Sequence, residues 1–115
     1  MKTKILNEKT LNYLKKQKKK LVLCHGVFDL LHIGHIKHFK EAKTLGNKLI
    51  VTITSDKYVN KGPKRPAFNE KYRLEAVASL NDVDFVAGFI WSHVLLASQK
   101  SALDAGKFLI SSNAG

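Results

Sequence analysis

A chain of 115 residues, 44% of them apolar and 25% charged, has the size and make-up of one globular domain with a single core, which excludes disordered and fibrous classes. No apolar run approaches a membrane span, Met1-Lys2-Thr3-Lys4 leads into polar residues and not into a signal core, and the lone Cys24 excludes an intrachain disulfide; a cytoplasmic protein is expected. The formal charge of +11 asks for anionic partners, and charge alone does not choose among nucleoside triphosphates, phosphorylated small molecules and nucleic acid.

In chain order, Asn7 is placed to cap a first helix. Leu11 and Leu14 give it a thin apolar stripe, and Lys15, Lys16, Lys18, Lys19 and Lys20 crowd its end, where lysines suit the helix dipole. Residues 1–20 thus form a basic N-terminal helix, most simply a solvated face. Leu21-Val22-Leu23-Cys24 is a continuous apolar run, as expected of a parallel strand covered on both faces. A helical pattern follows from about Gly34 to Leu45, closed by Gly46 as a C′ residue. Lys48 to Thr54 is rich in β-branched residues and reads as a second strand, ending at Ser55-Asp56. Strand, helix, strand in that order makes the two strands parallel neighbours joined by a right-handed crossover, so both carboxyl ends open on one edge and Asp56 stands there.

Lys57 to Pro66 is a basic loop punctuated by Gly62, Pro63 and Pro66. Asn69 caps a further helix with Tyr72, Leu74, Ala76, Val77 and Leu80 on its apolar side and Arg73 near its start. Asp82 to Ala87 reads as a third strand, Ser92 to about Ala105 as a helix closed by Gly106, and Phe108-Leu109-Ile110 as a fourth strand. The sum is an α/β chain: a Rossmann-like, doubly wound parallel sheet in a single domain, residues 1–115.

The segment from Gly26 to His35 carries the chemistry. It joins the first strand to a helix, the place where ligands bind in open α/β sheets. A helix starting near Gly34 aims unpaired N–H groups and the positive end of its dipole at whatever lies above the turn, which suits an anion. Gly26 and Gly34 let a phosphate approach the main chain or let φ turn positive. His32 and His35 flank Gly34, so both rings reach the space over the helix's first turn, where they can donate to phosphate oxygens and offset developing charge.

Gly-x-Phe-Asp-x-x-His-x-Gly-His, read across Gly26, Phe28, Asp29, His32, Gly34 and His35, resembles the signature of the cytidylyltransferase-like nucleotidyltransferases. That superfamily includes glycerol-3-phosphate cytidylyltransferase and the nucleotidyltransferase domain of ADP-heptose synthase. The pattern is specific in a strand–turn–helix setting. His-Ile-Gly-His also spells the motif of class I aminoacyl-tRNA synthetases, but the chain is far too short for one and has no Lys-Met-Ser-Lys-Ser-like segment. The likeness covers residues 21–86 best, and extends through Lys61-Gly62, Arg65-Pro66 and Glu70-x-x-Arg73 to Val83-Asp84.

The resemblance implies transfer of a cytidylyl or adenylyl group from CTP or ATP to a phosphorylated sugar or polyol, with release of pyrophosphate. By the same resemblance His32 and His35 contact the triphosphate, and Gly26, Val27, Phe28 and Gly34 shape the nucleotide pocket. Lys61, Lys64 and Arg65 hold phosphates, and Arg73 lies along the nucleotide or the leaving pyrophosphate. Mg2+ is expected on the nucleotide, with Asp29 as the nearest carboxylate, its other role being to tie down the turn. Homodimers are common among such proteins, and no membrane is implied.

Family members usually continue from the fourth strand into Gly-Asp and then Arg-x-x-Gly-x-Ser-Thr-Ser, a further triphosphate-binding element. Leu109 to Gly115 shows neither, so the resemblance implies a shortened or divergent domain, or one completed by a partner chain. Two rival readings follow: a non-catalytic nucleotide-binding or scaffolding domain, and a nucleic-acid binder using the lysine-rich helix. Zinc is disfavoured, because Cys24 and His25 are adjacent in a strand and point to opposite faces.

Overall fold

The computed structural model describes residues 4–17, 20–56, 68–88 and 108–110. The elements are α1 (Glu8–Lys16), β1 (Leu21–Gly26), α2 (Ile33–Lys43), β2 (Lys48–Ile53), α3 (Glu70–Ala78), β3 (Phe85–Ala87) and β4 (Phe108–Ile110). All pairings are parallel, and the sheet order is β3-β2-β1-β4. The chain moves outward from β1 through β2 to β3, then resumes on the other side of β1 with β4. That reversal makes the carboxyl end of β1 the topological switch point, where the crevice of such a sheet opens. The expected Rossmann-like α/β fold is the one found.

Each face of the sheet buries its own layer. Val22, Cys24, Leu49, Val51 and Ile53 face α2 and α3 and pack with Phe28, Phe39, Ala42, Val77 and Val86. Leu21, Leu23 and Ile50 point the other way and meet Leu6, Leu11 and Leu14 from α1 and the segment before it. The period of two along β1 and β2 sorts these sets, and cover on both faces makes both strands continuously apolar. Burying one such side chain contributes about 1.5–3 kcal/mol.

Local signals set the boundaries. The Asn7 side chain accepts from the Thr10 N–H at 2.8 Å and that of Asn69 from the Tyr72 N–H at 3.0 Å, so both expected caps are present. Strand β1 runs two residues past Cys24, because His25 and Gly26 remain in register with Thr52 and Ile53. Helix α2 stops at Lys43, and Gly46 is needed for close approach: a Cβ there would lie 2.9 Å from the Lys20 carbonyl oxygen and 2.8 Å from a Val22 methyl. Strand β3 begins only at Phe85, because the Asp84 carboxylate takes the Leu49 N–H at 2.7 Å and an ion pair from Lys43.

Helix α3 keeps part of its expected apolar side, with Val77 buried and Leu74 and Leu80 packed against the core, and departs from the rest. It buries Arg73, Val77 and Ala78, while Tyr72 is 57% exposed. Among the described residues no helix is long and apolar enough to cross a membrane. The expected basic loop from Lys57 to Pro66, the helix from Ser92 to Ala105 and the tail after Ile110 lie outside the described residues.

Candidate functional site: the turn between β1 and α2

The site is built on the turn that carries the chain from Gly26 to the start of α2. Phe28 has φ of 51°, the one non-glycine residue with positive φ among those described. A bulky side chain held there costs of order 1 kcal/mol. Packing holds it: Phe28 is 1% exposed, edge-on to the His35 ring at 5.6 Å and tilted on Phe39 at 5.0 Å between centroids. With the phenyl ring driven down into the core, the main chain on either side of it stays at the sheet edge.

His32 is the N-cap of α2, in extended conformation, and it caps through its ring. Its Nδ1 accepts from the Gly34 N–H at 3.0 Å, and Nδ1 of His35 accepts from the His32 N–H at 3.3 Å. This is a capping box in which imidazoles replace the usual hydroxyl and carboxylate. The reciprocal bonds fix both tautomers, since an accepting Nδ1 is unprotonated and the ring proton then sits on Nε2. The two rings lie 4.0 Å apart at 43°. His35 is buried and His32 exposed, so one ring is set in the core side of the helix mouth and the other lies over it.

Gly34 owes its place to this arrangement. A Cβ there would stand 2.7 Å from Cε1 and 2.9 Å from Nδ1 of His32. Any side chain at this position displaces the capping ring.

Asp29 and Arg73 hold the turn from the α3 side. Asp29, 5% exposed, accepts from the Phe68 N–H at 2.9 Å and so ties the residues before α3 to the turn. Arg73 is 1% exposed, and its guanidinium donates to the carbonyls of Phe68 (2.9 Å), Val27 (3.0 Å) and Thr54 (2.7 Å) and to the Asp56 carboxylate (2.6 Å). Protein oxygens engage this side chain, which differs from the expectation of an arginine lying along the nucleotide. Four donor contacts also account for its burial, which an unpaired guanidinium would not survive. A cavity of ≈470 Å³ is lined by Asp29 and Arg73 of this network together with Leu30, Leu31, Phe68, Tyr72 and Ala76. The histidines are not among its lining residues.

The structure therefore brings Val27, Phe28, Asp29, His32, Gly34, His35 and Arg73 together around one turn. Lys61, Lys64 and Arg65 lie outside the described residues. Among the described residues no group of three or more His, Cys, Asp or Glu could hold a metal ion. Sequence reasoning missed the imidazole capping box and the strained Phe28. Only the first had a local signal, a histidine at the cap with another three residues on.

Comparison with known proteins gives concordant results. The profile of the cytidylyltransferase-like family matches residues 23–99. "Bifunctional protein HldE" of Helicobacter acinonychis (strain Sheeba) is 46% identical over 89 residues, which are 75% of this chain and 19% of that protein. The protein of that name from Geotalea uraniireducens (strain Rf4) is 45% identical over 73 residues, 62% of this chain and 15% of its own. The chain thus spans about a fifth or less of the length of these relatives. Among solved structures, the lipopolysaccharide core biosynthesis protein of Thermoplasma volcanium GSS1 superposes with a TM-score of 0.63 at 26% identity, covering 84% of this chain and 99% of that one.

Proposed function

Since the chain belongs to the cytidylyltransferase-like family of nucleotidyltransferases, we propose that it transfers a cytidylyl or adenylyl group from CTP or ATP to a phosphorylated sugar or polyol. The observation that carries this reading is the pair of Nδ1-anchored imidazoles at the mouth of α2. A phosphate oxygen of the acceptor attacks the α-phosphorus in line, the new P–O bond forms as the bond to the β-phosphate bridging oxygen breaks, and pyrophosphate leaves. A phosphate monoester is largely ionised at neutral pH, so no strong base is needed. What remains is alignment and charge neutralisation.

The chain's own groups suit those tasks. The Nε2–H of His32 and of His35 donates to phosphate oxygens, and the first N–H groups of α2 add the dipole's positive end. Arg73 and Asp29 act as positioning residues that keep the turn in register with β2 and α3. Lys61, Lys64 and Arg65 are proposed to hold the acceptor and leaving phosphates. Mg2+ would be held chiefly by the nucleotide and would offset phosphate charge, with Asp29, whose carboxylate already accepts the Phe68 N–H, as the nearest carboxylate of the turn. The Thermoplasma volcanium neighbour is a lipopolysaccharide core biosynthesis protein, which supports an acceptor of the sugar-phosphate class.

The test is pyrophosphate release from CTP or ATP with a panel of sugar phosphates and Mg2+. His35→Ala and His32→Ala should each lower kcat by about a hundredfold or more, the scale seen when one transition-state donor is removed. Nucleotide binding without turnover in every combination would replace catalysis with a scaffolding role.

A further inference from the structure

On the face of the sheet that carries α1, the apolar pattern breaks at its carboxyl edge. Leu21 and Leu23 are followed by His25, and Ile50 by Thr52 and then Thr54, all on that one side by the period of two. The His25 ring lies between the two threonines: Nδ1 is 2.7 Å from Thr52 Oγ1 and Nε2 is 3.3 Å from Thr54 Oγ1. Thr54 in turn reaches the Gly26 carbonyl twice, through its hydroxyl at 3.3 Å and its N–H at 3.0 Å. Gly26 is the last residue of β1 and the first of the phosphate turn.

One neutral tautomer satisfies the whole chain of groups. The Thr52 hydroxyl donates to Nδ1, Nε2–H donates to Thr54 Oγ1, and the Thr54 hydroxyl donates to the Gly26 carbonyl. The alternative turns the Thr52 proton toward the Cys24 carbonyl at 3.5 Å, the longest contact in the set. The short 2.7 Å contact is retained either way, and the first arrangement leaves Gly26 doubly held. Among the described residues, Phe28, Asp29 and Arg73 secure the turn from the opposite face.

We infer that His25 is a positioning residue for the phosphate-binding turn, acting through Thr54 to fix the Gly26 carbonyl from the α1 side of the sheet. The inference rests on the phosphate-binding reading of the turn and adds to it a group that touches no phosphate. The Nε2 side of the ring is the one that matters, which separates this role from simple packing. Glutamine places its amide near Nε2, and asparagine places its amide near Nδ1.

The test measures binding of inorganic tripolyphosphate by calorimetry, with melting temperature alongside. His25→Ala and Thr54→Val should each weaken binding about three- to tenfold, the worth of one oriented hydrogen bond. The double variant should be no weaker than either single one, because both break the same chain. His25→Gln should bind within about twofold of wild type and His25→Asn should remain as weak as alanine. Unchanged binding in His25→Ala and Thr54→Val, or rescue by asparagine but not glutamine, overturns the inference.

If wild type itself fails to bind tripolyphosphate, the phosphate reading of the turn falls, and hydrogen exchange of the Thr54 amide then decides the positioning claim. That amide should exchange faster in His25→Ala and regain protection in His25→Gln. Equal exchange in all three proteins overturns it.

Discussion

Gly34 separates stability from function at a single atom. Alanine there improves helix propensity by about 1 kcal/mol, but its Cβ would stand 2.7 Å from the His32 ring and push it off the Gly34 N–H. Loss of an N-cap costs about 1 kcal/mol. The two effects nearly cancel, so Gly34→Ala should melt within a few degrees of wild type while nucleotide binding falls at least tenfold, as orientation losses of this kind do. Differential scanning calorimetry paired with a nucleotide titration reads both quantities on one sample. His25 gives a second contrast at this scale. Burial lowers its pKa below 6.5, so the unfolded chain takes up a proton before the folded one does. The stability contributed by the neutral ring is present above about pH 6.5 and declines as pH falls through that value toward the folded pKa. Urea unfolding from pH 7.5 to 5 should show the decline, and His25→Gln should show less of it.

At the scale of elements, the order of strands and helices was legible because each was announced locally. Asn7 and Asn69 stand at caps, β-branched residues fill β2, and apolar runs mark strands covered on both faces. The face of α3 was legible only in part. Val77 is buried and Leu74 and Leu80 pack against the core as expected, but Tyr72 and Ala76 are exposed, and the helix buries Arg73, which meets carbonyl and carboxylate oxygens supplied by the turn, by the segment after β2 and by the residue before its own cap. No periodicity forecasts that, because the acceptors come from up to 46 residues away. The same distance hid the His25 network, whose partners are 27 and 29 residues on. The site's motif was legible as letters, and its internal geometry was not. Arg73→Lys keeps the charge but cannot fork to four oxygens, and Arg73→Met removes the charge and leaves carbonyls unpaired. Both should destabilise the fold by about 3 kcal/mol or more, as disrupting a buried cation held by four oxygens does. Urea titration checks this, and a variant as stable as wild type would show the guanidinium to be dispensable for the fold.

For the molecule as a whole, the turn is the junction between the two cores at the sheet edge. It is fixed to one core by Phe28 and Phe39, to α3 by Asp29 and Arg73, and to the α1 side of the sheet by His25. A phosphate seated on that turn is therefore bound by the folded chain and not by the unfolded one, and occupancy must appear as global stability. With nucleotide at a hundred times its Kd the gain is about 2.7 kcal/mol. For a domain of this size that shifts the melting temperature upward by about 10 °C. CTP or ATP with Mg2+ should produce the shift in wild type. His32→Ala and His35→Ala, at the same nucleotide concentration, should lose most of it, because the loss of oriented donors lowers occupancy. The basic surface elsewhere supplies a different signature, since stabilisation by scattered lysines fades as salt screens them. A shift that survives 0.5 M salt in wild type and vanishes in the histidine variants locates the anion at the mouth of α2; a shift abolished by salt and indifferent to both histidines moves it to the lysine-rich surface.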